Sequence, residues 1–421
     1  MPEATLYRRT IATLGLFTLT AGDFWRYSLT WYGWGAIVLV LLVLGIVEIV
    51  RARVDLRRLP LTLFALLALM LVSTIWSNYP GWTLLGVLAS LITTVFGVFL
   101  ATTMSLADLL RSFGTALRWI LGLSLVFELF VSLVIGHHIL PLWIEYCDPT
   151  KKIPNACYWS RDLLLHGGQI QGIVGNSNLL AFAAMFALIV FVVQFLARTV
   201  SRVWLGVWIV IAILTLGLTR SSTVLAATAV ALVVGAFILL VRAVHGRRRI
   251  AVYTGGAVVA IAGVVTALVA HGAILKLLHK SPDLTFRTVI WQKVIHEAEL
   301  RPVGGWGWIS YWVPWLKPYD GLVEHGGITY LQAHEAWLDV FLQLGIVGLV
   351  VFGIFVLVTL VRAWTTAIDA APGPGLVRLF PLVILAALLV HSLAESRLLI
   401  EIGFTLLVVI AITVSRKPSA P

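Results

Sequence analysis

The sequence predicts an all-α, polytopic membrane protein with about twelve transmembrane helices. Of its 421 residues, 60% are hydrophobic and only 12% are charged, and long apolar runs recur along the chain. Backbone polar groups in lipid must be satisfied within the segment or in a closed barrel, and continuous apolar runs of this kind are typical of helices. We therefore interpret residues 1–421 as a single integral membrane domain.

Each apolar run between polar connections predicts one helix. The predicted spans are 10–22, 34–50, 60–77, 82–103, 115–135, 172–198, 203–219, 222–241, 250–270, 335–361, 376–394 and 398–415. Two connections are much longer than the others, at about 136–171 and 271–333. The second should contain a short helix, because Pro282 and Asp283 are typical of a helix start and Pro302 of the region beyond a helix end.

Arginine is concentrated in alternate connections, for example at Arg57–Arg58 and Arg247–Arg249. Because lysine and arginine are retained on the cytoplasmic side, both termini are predicted to be cytoplasmic and both long loops to face outward. The net charge of +11 then reports topology, not a nucleic-acid partner. The two cysteines, Cys147 and Cys157, both fall in the first long loop, where they are either a disulfide or two free thiols.

His334 is the first candidate for chemistry, since it stands where the second long loop becomes a membrane helix. The positive end of a helix disfavours imidazolium, which would keep the ring neutral as a general base requires. The alternative is a structural histidine at the membrane interface.

Arg220 and Ser221 lie in a very short outward turn between two apolar spans. Hydroxyl groups there can cap the next helix, so a fixed positive charge beside a helix N-terminus makes a plausible phosphate site. An arginine that only reaches the lipid headgroups is the alternative.

Arg287 and Trp291 are four apart on the predicted loop helix, so the indole ring could orient the guanidinium. The planar guanidinium fork suits a diphosphate, whereas the alternative is an ordinary amphipathic helix on the membrane surface. Gly305 and Gly307 add a flexible turn in the same loop. Its many tryptophans and tyrosines could stack on sugars or sit at the bilayer interface.

Several function classes lack their usual motifs. The chain has no Walker loop, dinucleotide fingerprint or Gly-x-Ser-x-Gly elbow, which argues against ATP-driven pumping, redox chemistry and ordinary ester hydrolysis. The outer acidic residues form no Asp-x-Asp pair and no His-Glu-x-x-His motif, so neither a metal nor another cofactor is predicted.

Taken in order, several segments of the chain resemble the O-antigen ligase family. They are Gly172–Asn178, Thr219–Ser222, Arg287 with Trp291, Gly305-Trp306-Gly307, His334–Gly348, and the late His391–Ser396 with its Glu395. The resemblance covers most of the chain beyond residue 170. One departure is Glu335, where many relatives have asparagine.

The resemblance implies a GT-C-like glycosyltransferase in the bacterial inner membrane. It would transfer a glycan from undecaprenyl diphosphate to lipid A-core oligosaccharide on the periplasmic face, with inversion and without a metal. His334 corresponds to the proposed base, and Arg220 and Arg287 to the diphosphate-binding arginines. The other expected substrate-binding residues are Asn178, Ser221, Trp291, Gly305, Gly307, His391 and Glu395.

Three other functions fit parts of the sequence. An O-antigen polymerase would use the same donor, and Arg161 with Gly172 matches the Arg-x10-Gly pattern described for polymerases in the first loop but not in the second. A protein O-oligosaccharyltransferase is a further relative. A transporter of lipid-linked sugar would carry ionisable residues near the bilayer midplane, for which Glu48, Glu128 and Asp339 are weak candidates.

Overall fold

The computed structural model describes residues 2–143, 153–269, 286–325, 327–370 and 373–416. Within these ranges the helices are α1 Pro2–Thr20, α2 Gly22–Arg51, α3 Leu61–Val72, α4 Pro80–Thr103, α5 Leu106–Phe130, α6 Ser177–Ala197, α7 Arg202–Thr219, α8 Ser222–Ala243, α9 Arg247–Val269, α10 Arg287–Glu299, α11 Ala336–Ile368, α12 Phe380–Ser392 and α13 Glu401–Ser415. A short hairpin, β1 Glu324–His325 and β2 Ile328–Thr329, lies in the second long loop.

The all-α class is confirmed, and each predicted span coincides with one helix. In the described part of the chain, eight helices are long and apolar enough to cross a membrane, so the protein is a multi-pass membrane protein. The apolar helices Leu61–Ile75 and Glu401–Ser415 are shorter. The total of twelve spans, the single domain and the orientation of the termini stay predictions.

The centre of the bundle is α6, in which every residue from Leu180 to Phe191 is buried. Its neighbours include α5, α7, α8 and α12. Peripheral helices behave differently, since Leu39 on α2 and Val258 on α9 are large apolar side chains that remain exposed. This pattern, apolar inside and outside, is what a helix bundle in lipid requires.

Helix α11 is broken at Gly345, whose φ is +63°. The second long loop uses this break: the amide of Gly307 donates to Gln343 O at 2.9 Å, and the amide of Ile346 donates to Pro302 O at 2.8 Å. A Cβ at Gly345 would lie only 2.2 Å from Val303 O. The loop and the broken helix therefore meet backbone to backbone, which only glycine permits.

The second long loop has a small core of its own. Trp312 stacks on Tyr319 with ring centroids 5.6 Å apart, and the hydroxyls of Tyr79 and Tyr319 are 2.7 Å apart. Ile290 of α10 is fully buried in this core, whereas Trp308 is fully buried against the helix bundle, with its Nε1 donating to Ser90 Oγ of α4 at 3.0 Å. For Trp308, Trp312 and Tyr319, the expectation of a sugar platform or a membrane belt was wrong, because all three rings are buried inside the protein.

The first long loop is organised by Glu128 of α5. Its Oε1 accepts from the amides of Gln171 at 2.9 Å and Gly172 at 2.7 Å, and its Oε2 accepts from Ser160 Oγ at 3.0 Å. Cys157 is disulfide-bonded, whereas Cys147 lies outside the described residues. Glu128 thus serves as an acceptor for loop backbone near a helix end.

Candidate active site

His334 lies two positions before α11, in the left-handed backbone region with φ of 51°. Its Nδ1 is 2.7 Å from Glu395 Oε2, and 21% of its side chain is exposed. The left-handed backbone is a strained conformation for a residue other than glycine, and the imidazole contacts Glu395, which follows α12. The ring thus has a carboxylate on one nitrogen and leaves Nε2 for another partner.

Glu395 follows α12 and joins the side chains of His334 and Arg287. Its Oε2 faces His334, and its Oε1 accepts from Arg287 Nη2 at 2.5 Å. Burial opposes ionisation of this carboxyl, but His334 and Arg287 outweigh burial and hold its pKa at about 2. Glu395 is therefore a carboxylate at all physiological pH values, and the helix end alone does not set the electrostatics around His334.

Arg287 is the first residue of α10, and its guanidinium is shared between two elements. Nη2 reaches Glu395, while Nη1 donates to Thr223 Oγ1 at 3.0 Å in the first turn of α8. The expected cation–π contact with Trp291 is not among the contacts of the described residues. A buried carboxylate attracts the guanidinium more strongly than a ring face does, so Trp291 packs in the loop core instead.

Asn178 and Ser221 join the starts of α6 and α8. Ser221 Oγ donates to Asn178 Oδ1 at 2.8 Å, and Asn178 lines one small cavity together with His334, His391 and Glu395. This cavity has a volume of about 50 Å³. Four of the predicted site residues are thereby brought together from α6, α12 and the two loop ends.

His391 is buried on α12 and stacks on Phe182, with ring centroids 4.4 Å apart and an angle of 23°. Its Nδ1 has no hydrogen-bond partner in the described part of the chain. The ring is therefore oriented by packing against Phe182, and the residue lines the same cavity as His334.

Arg220 is the left-handed residue that ends α7, with φ of 51°, and its side chain is exposed. Among the described residues no acceptor contacts its guanidinium. Arg220 stands three positions before Thr223, the hydroxyl that Arg287 contacts. The guanidinium of Arg287 is therefore hydrogen-bonded to the first turn of α8, and Arg220 lies in the turn just before α8 with its side chain exposed.

Gly305 and Gly307 lie at the break in α11, away from the junction of His334 and Glu395. A Cβ at Gly305 would lie 2.4 Å from the carbonyl carbon of Gln343, and one at Gly307 would lie 2.6 Å from Ser77 Cβ. In this structure their glycine character is explained by close packing.

The sequence did not single out Asp339 as a site residue, although it organises the site. It is buried on α11; its Oδ1 accepts from Trp312 Nε1 at 2.8 Å, and its Oδ2 accepts from the amide of Ala333 at 3.1 Å and from Ser396 Oγ. Ala333 and Ser396 are the neighbours of His334 and Glu395. The only signal in the sequence was an acid one and a half turns into an apolar helix.

Thr223 and Arg397 were also missed, and Glu335 has a local role. Arg397 lines the cavity with His334 and pairs with Glu401 at 2.5 Å. Glu335 caps α11, since its Oε2 accepts from the Leu338 amide at 2.5 Å. Burial raises the pKa of Glu335 to about 7.

No group of three or more His, Cys, Asp or Glu side chains in the described ranges could hold a metal ion.

Residues 207–353 match the family model described as O-antigen ligase, whereas no curated protein sequence matches the chain. The matched segment includes Arg220, Arg287 and His334, and it ends before His391 and Glu395. It supports a membrane enzyme of the O-antigen ligase or polymerase type. The resemblance to the O-antigen ligase family that the sequence predicted is thereby confirmed for residues 207–353.

Proposed function

We propose that this protein is an O-antigen ligase, which transfers a glycan from undecaprenyl diphosphate to lipid A-core oligosaccharide. The observation that carries the proposal is the cluster of His334, Glu395 and Arg287, in which one carboxylate holds both a base and a phosphate-binding cation. The family match supports the class of donor. The reaction would take place on the periplasmic face of the bacterial inner membrane, with both termini in the cytoplasm.

In this proposal His334 is the general base. Because Glu395 occupies Nδ1, Nε2 is the nitrogen left to take a proton from the acceptor hydroxyl. The hydroxyl oxygen forms a bond to the anomeric carbon, the bond to the diphosphate breaks, and its electron pair remains on the diphosphate oxygen. Glu395 would stabilise the imidazolium that forms, as a carboxylate does in related His–acid pairs. Attack opposite to the leaving group inverts the anomeric carbon.

The arginines would hold the diphosphate. A glycosyl diphosphate already has a good leaving group, so it needs stabilisation of negative charge more than protonation. Arg287 is fixed at Thr223 in the first turn of α8, and Arg220 is exposed at the turn before it. Two guanidinium groups beside a helix N-terminus could stabilise that charge without a metal ion.

The first test is transfer by purified protein in detergent, supplied with undecaprenyl-diphosphate glycan and lipid A-core. His334→Ala should lower the rate about 10²–10⁴-fold, the usual cost of losing a general base. His296→Ala is the matched control, because His296 is exposed on the loop helix α10 and should leave the rate unchanged. Wild-type transfer by His334→Ala would disprove the assignment of the base.

The same assay tests for a metal. We expect full activity in the presence of a chelator, since the arginines carry the charge stabilisation. Loss of activity in chelator that one divalent ion restores would contradict this expectation.

The products separate ligase from the rival enzymes. Glycan on lipid A-core identifies a ligase, whereas longer lipid-linked chains that ignore lipid A-core identify a polymerase. The Arg161 of the polymerase-like pattern is engaged within its own loop, with Nε donating to Gln171 Oε1 at 3.0 Å. Net donor movement across vesicles without a covalent product would instead identify a transporter.

A further inference from the structure

A second polar cavity lies at the end of the bundle opposite His334. Its volume is about 1000 Å³, and it is lined by residues at the far ends of α11 and α13 and at the starts of α5 and α12. The 33-residue helix α11 lies between the two ends, with His334 just before its start and Asp369 just after its last residue. The cavity is therefore independent of the candidate active site.

The charge of this cavity is positive. Arg58, Arg378 and Arg416 line it, and among the described residues Asp369 is the one acidic side chain in its wall. Hydroxyl groups of Thr365, Thr366, Thr413 and Ser415 add hydrogen-bonding capacity, and Leu106, Val377 and Val414 add an apolar portion. Cations, hydroxyls and apolar surface at a membrane-helix end match an anionic headgroup attached to acyl chains.

The arginines are not all used in capping helices. Arg416 donates to Ala101 O at 2.9 Å and so satisfies a carbonyl at the end of α4, and Arg58 donates to Asp55 Oδ2 at 3.2 Å. Arg242, nearby, caps α11 by donating to Ala367 O at 2.9 Å. Arg378 differs, because within the described ranges its guanidinium contacts no acceptor although it is only partly exposed. A half-buried guanidinium that makes no hydrogen bond or ion pair with the described residues, in a hydroxyl-lined cavity, favours binding of an anion.

We infer that this cavity binds the headgroup of an anionic phospholipid, with Arg378 as the principal phosphate contact. The apolar wall residues Leu106, Val377 and Val414 would contact the first part of an acyl chain. Asp369 opposes the bound phosphate and limits its affinity.

The test is lipid binding to the full-length protein in detergent, measured by native mass spectrometry and by thermal unfolding. Phosphatidylglycerol should bind and raise the Tm, while phosphatidylcholine and inorganic phosphate at the same concentrations should not. Arg378→Gln should weaken phosphatidylglycerol binding about fivefold, as expected from about 1 kcal/mol per arginine near a membrane surface. Arg378→Lys should retain most of the binding.

Two further variants distinguish a specific loss of lipid binding from misfolding of the protein. Asp369→Asn should strengthen phosphatidylglycerol binding about fivefold by removing a like charge, and an unfolded variant cannot gain affinity. Arg57→Gln is the matched control, because Arg57 is exposed beside Arg58 but does not line the cavity. The inference would be overturned if Arg378→Gln bound phosphatidylglycerol as tightly as the wild type does. It would also be overturned if the wild type bound phosphatidylcholine as tightly as phosphatidylglycerol. A rise in Tm with inorganic phosphate as large as with the lipid would reassign the cavity to a free anion and also overturn it.

Discussion

Glu395 contacts His334 and Arg287 through different oxygens, and this shared contact defines the candidate site at the scale of single residues. The sequence placed Glu395 among substrate-binding residues on the basis of resemblance. In the structure it orients the proposed base and one proposed phosphate ligand. Glu395 is therefore a positioning residue, and its replacement should change the stability of the fold as well as substrate binding.

Replacing Glu395 tests its charge through acid stability. Its pKa of about 2 lies below the ordinary value of 4.5, so the ionised group stabilises the fold above about pH 4.5. That contribution is lost as the pH falls from about 4.5 toward 2. Glu395→Gln should therefore be less stable than wild type at pH 7, and the difference should shrink toward pH 3.

Thermal unfolding in detergent between pH 3 and 7 measures this difference. Glu324→Gln is the control, because Glu324 is an exposed acid in the same outer loop. Its unfolding curve should follow wild type across the range. A constant gap between Glu395→Gln and wild type at every pH would contradict the charge-based account.

At the scale of elements, the broken helix α11 decides how the second long loop is held. Gly345 supplies the break with φ of +63°, and the amides of Gly307 and Ile346 use the carbonyl acceptors of the opposite segment. Backbone hydrogen bonds of this kind replace those that the helix loses at its break. The two glycines of the loop and the glycine of the helix thus form one packed unit.

Gly345→Ala tests this unit. The new Cβ would lie 2.2 Å from Val303 O and would require a left-handed backbone, so we expect destabilisation on the order of 2 kcal/mol or more. Gly353→Ala is the control on the same helix, since among the described residues no atom beyond the neighbouring backbone of this helix lies within 4 Å of its Cβ position. The control should leave the Tm unchanged or raise it slightly, because alanine favours a helix interior. Equal Tm values for both variants would show that the loop does not depend on the break.

For the whole molecule, Asp339 links three separate parts of the chain. Its carboxylate receives Trp312 from the loop core, Ala333 from beside His334, and Ser396 from beside Glu395. The packing of the loop and the geometry of the site therefore depend on the same side chain. These three hydrogen bonds also explain why an acidic residue lies inside an apolar helix, so a transport function is not needed to explain it.

Asp339→Asn should lower both transfer activity and stability. The amide cannot accept all three hydrogen bonds, and a buried donor left unpaired costs about 1–3 kcal/mol. Asp369→Asn is the matched control beyond the other end of α11, where the aspartate is exposed, and it should leave transfer unchanged. Transfer rate and Tm of both variants measure the effect. Wild-type activity in Asp339→Asn would show that the site does not need this link.

Site residues at helix starts could be predicted from the sequence, whereas those whose partners lie in distant segments could not. His334 and Arg287 stand at the starts of helices or beside them, positions that helix-start residues and apolar runs reveal locally, whereas Asn178 was singled out through the family resemblance. Trp291 was assigned to Arg287 from helical spacing, but spacing alone does not measure the competing attraction of Glu395. Thr223 and Asp339 were missed as site residues because their partners come from distant segments.

The sequence by itself determined the class of the fold, since apolar runs in lipid must form helices whatever their partners are. It also placed His334, Arg287, Trp291, Gly305 and Gly307 in or beside one loop. Only the tertiary structure decided that Glu395 meets His334 and Arg287, which lie 61 and 108 positions away in the chain. The physical reason is that helix formation follows from local periodicity, whereas a shared carboxylate requires α8, α10, α11 and α12 to pack at one end of the bundle.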